Sequence, residues 1–116
     1  MSQRVFDLEE RTAALGENVI TICMKITKNE ITKPLIVQVI KSATSIGANY
    51  AEADDAESKK DFHHKIGICK KESRETKHFL RMLKIAVPQF SDSLTELWHE
   101  AKELNLIFNT IYRKVG

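Results

Sequence analysis

At 116 residues the chain has room for one domain and no second. Its hydrophobic share of 42%, charged share of 29% and net charge of +2 describe an ordinary globular protein, and no apolar run approaches the roughly 18 residues of a membrane span. The first residues, Met1 to Asp7, carry no apolar signal core, so export is not expected and the expected location is the cytoplasm.

From the N-terminus, Asp7 followed by Glu10 reads as a capping box. Leu8, Thr12, Leu15, Val19, Ile22 and Ile26 then mark one helical face, which predicts a helix over 8–28. A turn follows at 29–34. Pro34 suits the first turn of the next helix, where its missing N–H is not needed, and that helix is predicted over 34–53. The apolar residues of this second helix, among them Leu35, Ile36, Val37, Val39, Ile40, Ile46, Ala48 and Ala51, wrap most of its circumference. A helix in a lone bundle needs one buried stripe, so this one calls for burial on two sides and hence for self-association.

After an acidic loop at 54–57, Ser58 with Asp61 caps a third helix over 59–87, which Pro88 closes. Phe62, Ile66, Cys69, Ser73, Thr76, Leu80, Leu83 and Val87 alternate at spacings of four and three, a heptad seam. Ser91, or Ser93 with Glu96, caps a fourth helix over 92–115, whose seam runs Leu94, Trp98, Ala101, Asn105, Phe108, Tyr112 and Val115. No strand alternation occurs anywhere. Four long helices with short connections predict an all-α, antiparallel up-down four-helix bundle filling residues 1–116 as one domain.

The third helix holds nine Lys or Arg against three acids, a net of +6, so the rest of the chain is net −4. At about 100° per residue, Lys59, Lys60, His63, Lys70, Arg74, Lys77, Arg81 and Lys84 gather in a sector beside the seam. Charge runs are usually solvated faces, but a stripe of this kind neutralises phosphates. With Lys outnumbering the Arg, Asn and Gln that read base edges, binding to RNA or DNA would carry little sequence preference. Ile68 and Phe79 fall in a third sector with Glu72 and Glu75, which makes them candidates for an oligomer interface.

Other chemistry is excluded or weak. Glu75-x-x-His78 and Glu96-x-x-His99 match in residue type the di-metal sites of helical bundles, but they point away from their seams. Their levels differ by about 10 Å at 1.5 Å per residue, so no metal site is expected. His63-His64 has no positioned nucleophile. Ser42, Ser45 and Ser73 read as packing residues, and Gly47 and Gly67 form no phosphate loop. Asn49 and Glu52 read as hydrogen-bonding residues that fix helix register or tie down the acidic loop. Cys23 and Cys69 sit at core positions and read as buried, reduced thiols, with a disulfide the lesser alternative and no zinc-type pair present.

The segment Gln38–Glu52, with Ser45-Ile-x-x-Asn49-x-x-Glu52, resembles a known signature, as do Ser58–Lys65, Lys71–Thr76 and Phe79–Leu83. In combination, across about 8–115, they resemble the bacterial four-helix-bundle proteins encoded in intervening sequences of large-subunit ribosomal RNA genes. That family is similar to the accessory variability determinant proteins of diversity-generating retroelements. The resemblance implies a homopentameric barrel of bundles and a nucleic-acid-binding role. In the retroelement relatives it also implies binding to a reverse transcriptase. It implies no catalytic residue and no cofactor. The leading expectation is therefore a non-enzymatic, oligomeric protein binding RNA or DNA through Lys59, Lys60, Lys70, Arg74, Lys77, Arg81 and Lys84. The alternative is a protein-interaction module whose stripe is merely solvated.

Overall fold

The computed structural model describes residues 7–116. The N-terminal stretch read above against an export signal lies outside them but for Asp7. Four helices and no strand occur among the described residues: α1 (Leu8–Cys23), α2 (Thr32–Asp54), α3 (Lys59–Ala86) and α4 (Ser91–Val115), with a single 3-10 turn, Pro88–Phe90, leading into α4. Each helix packs on the next in sequence, and α1 also reaches α4. The assembly is elongated, 44 × 29 × 19 Å.

The seams of the sequence are the core of the fold. Leu8, Thr12, Leu15, Val19 and Ile22 of α1 are buried, as are Ile66, Cys69, Ser73, Thr76, Leu80 and Leu83 of α3. From α4, Leu94, Ala101, Leu104, Asn105 and Phe108 join them. The α2 contribution is Ile36, Val39, Ala43 and Ile46, while its Val37 is 54% exposed and Ala48 and Ala51 are exposed. The second apolar side of α2 is thus uncovered in the single chain.

Polar seam residues are paired across helices. Thr76 Oγ1 lies 3.0 Å from Ser42 Oγ, joining α3 to α2. Asn105 Nδ2 donates to Lys70 O at 2.8 Å and Ser73 Oγ at 3.0 Å, joining α4 to α3. Cys69 Sγ donates to Ile46 O at 3.6 Å. Thr76, Ser42 and Ser73 also bond carbonyls of their own helices, so a slip of one turn would orphan chiefly the Asn105 amide, at about 1–3 kcal/mol, and that amide does most to fix helix register.

Helix ends follow local chemistry. Asp7 accepts from Glu10 N at 3.3 Å, and Ser58 accepts from Asp61 N at 3.0 Å, as their spacing predicts. Two boundaries differ from expectation. α1 stops at Cys23 rather than 28, because the next amides turn to nearer carbonyls: Lys25 N bonds Ile22 O and Ile26 N bonds Cys23 O. Ile26 stays buried outside the helix. α2 starts at Thr32, two residues early, because Asn29 Oδ1 accepts from Ile31 N and Thr32 N, and Thr32 Oγ1 donates to Thr27 O. The Ser93–Glu96 capping box does not form. The Pro88–Phe90 turn runs straight into α4, whose cap residue is Phe90 without a side-chain bond, and Ser93 is exposed inside the helix.

Candidate nucleic-acid interface

The cationic sector of α3 borders α4. Lys70, Lys77 and Lys84 are half-buried there, and Arg81 is exposed beside them. Lys70 Nζ stands 4.4 Å from the centroid of the Tyr112 ring. Lys77 Nζ is 5.9 Å from the Trp98 ring, which Lys102 Nζ approaches from α4 at 5.4 Å. Arg81 and Lys84 line a cleft of about 290 Å³ with Thr95, Trp98 and His99. Lys59 and Lys60 are exposed at the start of α3, and Arg74 faces outward beside Glu75, His78 and Phe79. The structure therefore brings four of the seven expected cations (Lys70, Lys77, Arg81 and Lys84) to one joint and leaves three apart.

None of the seven enters an ion pair among the described residues. The ion pairs lie elsewhere: Arg11 with Glu100 and Glu103, Lys65 with Glu52, and Lys71 with Glu72. Arg11 chelates Glu100 through Nε and Nη2 at 3.0 and 2.8 Å. That hydrogen bonding, outweighing the burial that opposes it, raises the guanidinium pKa above its ordinary value. Lys65 is likewise raised, chiefly by its hydrogen bond to Glu52. The charges of the α3 stripe are thus left without a carboxylate partner among the described residues.

Tyr112, Trp98 and Lys102 belong to the arrangement, although the sequence marks the first two only as seam positions. A usable signal was present: Trp98 and Lys102 are four apart, hence on one helix face. Tyr112 packs where α3 has no side chain, since a methyl group on Gly67 would come within 2.9 Å of its Cε1. The His63 ring stacks on Tyr112 at 3.9 Å between centroids, and its Nε2 is buried without a hydrogen-bond partner.

Ile68 and Phe79 are half-buried, and Phe79 packs on the core. Asn49 donates to Ser45 O and Oγ within α2, and Glu52 holds Lys65 at 2.6 Å, tying the end of α2 to the start of α3. Both cysteines are free and buried, and burial pushes the Cys69 thiol up to about 12 and that of Cys23 to about 11. Glu75, His78, Glu96 and His99 are exposed, and no group of three metal-ligating side chains converges among the described residues. Nor is any helix among them long and apolar enough to cross a membrane.

A family model described as "23S rRNA-intervening sequence protein" matches residues 6–110. No curated protein matches the chain. Among solved structures, the chain is similar to a protein of unknown function from the S23 ribosomal protein family of Bacteroides thetaiotaomicron, whose crystal structure is at 1.70 Å resolution. The TM-score is 0.78 at 23% identity, over 90% of this chain and 97% of that one, which establishes a shared fold.

Proposed function

The chain belongs to the 23S rRNA-intervening sequence protein family, and we propose that it is a non-enzymatic, oligomeric protein that binds RNA or DNA through the basic flank of α3. The observation that carries this reading is the set of unpaired cations. Lys59, Lys60, Lys70, Arg74, Lys77, Arg81 and Lys84 lie on a helix of net charge +6, and no carboxylate among the described residues pairs with them. Phosphates are the natural complement of such a surface, and Lys-rich contacts to them carry little sequence information.

The proposed setting is an antiparallel up-down bundle forming one cytoplasmic domain, assembled as a homopentamer and akin to the accessory variability determinant proteins. Contacts such as Ser42 with Thr76 and Glu52 with Lys65 support the antiparallel order, since residue numbers fall along α3 as they rise along α2. Exposed Ile20, Met24, Ile31 and Val37 support assembly, with Ile68 and Phe79 as further contacts. Light scattering tests this part, and a monomer would refute it.

Binding is tested by fluorescence anisotropy with structured RNA and duplex DNA at about 50 and 200 mM salt, where counterion release predicts a steep loss of affinity. Changing Lys70, Arg74, Lys77 and Arg81 together to Gln should abolish most of the low-salt affinity. Tight binding that survives this change, or flat titrations throughout, would remove the reading. Flat titrations favour the second one, a protein-interaction module such as a partner of a reverse transcriptase. The observation behind that alternative is the apolar cleft bordered by Ile31 and Ile85, which are 68% and 81% exposed.

A further inference from the structure

The two aromatic rings that α4 presents to α3 differ in how fully they are used. Tyr112 is occupied: Lys70 Nζ sits 4.4 Å from its centroid and the His63 ring lies stacked on it at 3.9 Å. Trp98 is not. Lys77 and Lys102 flank it at 5.9 and 5.4 Å, close to the roughly 6 Å limit of a cation–π contact. His99 touches it only edge-on, with ring planes at 82°. The half-buried indole borders the cleft formed with Arg81, Lys84, Thr95 and His99.

Three of the four acids of α4 are kept away from this ring, and the fourth, Asp92, lies about a third of a turn round the helix and about 9 Å toward its start. At about 100° per residue, Glu96, Glu100 and Glu103 lie on the far side of the helix from Trp98. Glu100 and Glu103 are engaged there by Arg11. Four cations (Lys77, Arg81, Lys84 and Lys102) therefore surround one half-buried indole, and none of them is paired with a carboxylate among the described residues. For a structural contact this is a poor design, because two lysines approaching one ring repel each other and neither comes close. For a ligand that brings phosphates to the lysines and a flat ring to the indole, it is complementary.

We infer that the α3–α4 groove at Trp98 is a binding site for single-stranded nucleic acid. One base stacks on the indole, and Lys77, Arg81, Lys84 and Lys102 hold the phosphates on either side. Bases in a duplex are stacked on one another and cannot reach the ring, so the site prefers single strands. This rests on the nucleic-acid reading above and narrows it to a strand type and to two residues, Trp98 and Lys102, outside the α3 stripe.

Trp98 is the only tryptophan of the chain, so its emission reports on this site alone. The full chain is titrated with a labelled, unstructured oligouridine and with an RNA duplex of equal length, following label anisotropy and tryptophan emission together. The expected result is tighter binding of the single strand with marked quenching of Trp98. Trp98→Leu should then lose about tenfold or more in single-strand affinity, the scale of one base–aromatic stack, and clearly less in duplex affinity. Trp98→Phe should recover most of that loss. Lys102→Gln, at an exposed position, should weaken single-strand binding several-fold and keeps the test decisive if Trp98→Leu unfolds. Salt-sensitive binding without quenching, or equal affinity for both strand types, would overturn this site and leave the basic-flank reading standing. No binding of either RNA at low salt would overturn both.

Discussion

Between α1 and α2 the helices meet through small residues: Gly16 lies against Ala43 and Thr44, and Gly47 against Thr12 and Ala13. Between α3 and α4 they meet through Asn105, Tyr112 and Trp98, with lysines at the margin. The first joint brings backbone close to backbone at Gly16 and Gly47, and the outward side chains Ile20, Met24 and Val37 are apolar and exposed. The second keeps a buried amide at its centre and carries its cations outside, unpaired. The difference separates two tasks. What the α1–α2 joint leaves over is apolar surface, suited to another protein chain. What the α3–α4 joint leaves over is positive charge beside aromatic rings, suited to a polyanion.

The largest effect that would test this contrast lies at the centre of the second joint. Asn105→Ala removes both bonds to α3 and the support that Asn109 Nδ2 takes from Asn105 Oδ1 at 3.3 Å, and it leaves a gap among buried side chains. A loss of about 2–3 kcal/mol in unfolding free energy is expected by chemical denaturation. A change below about 0.5 kcal/mol, the range of ordinary surface substitutions, would mean that the joint does not depend on its amide. Next in size is the clamp between α1 and α4, where folding does neutralise its charge. Arg11→Met should cost about 1 kcal/mol at low salt, held to that by the solvent exposure of Glu103, and less at about 1 M salt. An undiminished cost at high salt would assign the effect to packing of the arginine stem instead.

Much of this architecture was legible because a heptad spacing leaves a buried helix few choices. Every residue of the α3 seam from Ile66 to Leu83 is buried, and Ser58 caps where its side chain predicts. The end of α1 and the start of α2 were not legible, because they are set by Asn29 and Thr32 reaching Thr27, a link made only once the turn exists. The start of α4 escaped for a related reason. Ser91 and Ser93 are equally good caps by type, and the Pro88–Phe90 turn makes both unnecessary. At the candidate interface the cations were readable, but which helix they would border was not. Trp98 and Tyr112 are seam residues that are only half-buried, so part of each ring packs on the core and part is left for other contacts. Spacing alone does not say with what.

The sharpest comparison comes from one substitution made at two glycines, where small opposing terms balance differently. A methyl group at Gly16 would lie 3.6 Å from Ala43 O and from Thr44 Cα and Cγ2, ordinary contact distances, so the apparently tight α1–α2 joint has room for it. Gly16→Ala should raise stability by about 0.5–1 kcal/mol, the helix-propensity gain at an interior position. At Gly67 the same methyl would press on the Tyr112 ring at 2.9 Å, and that ring is already held by Lys70 and His63. The overpacking cost of about 1–3 kcal/mol outweighs the propensity gain there, so Gly67→Ala should be neutral to destabilising and should alter the near-ultraviolet circular dichroism of Tyr112. Matched denaturation curves decide the matter. If Gly67→Ala stabilised the protein as much as Gly16→Ala, Tyr112 would have to be free to swing aside. The ring would then be as loosely used as Trp98, and the groove would offer two platforms for bases instead of one.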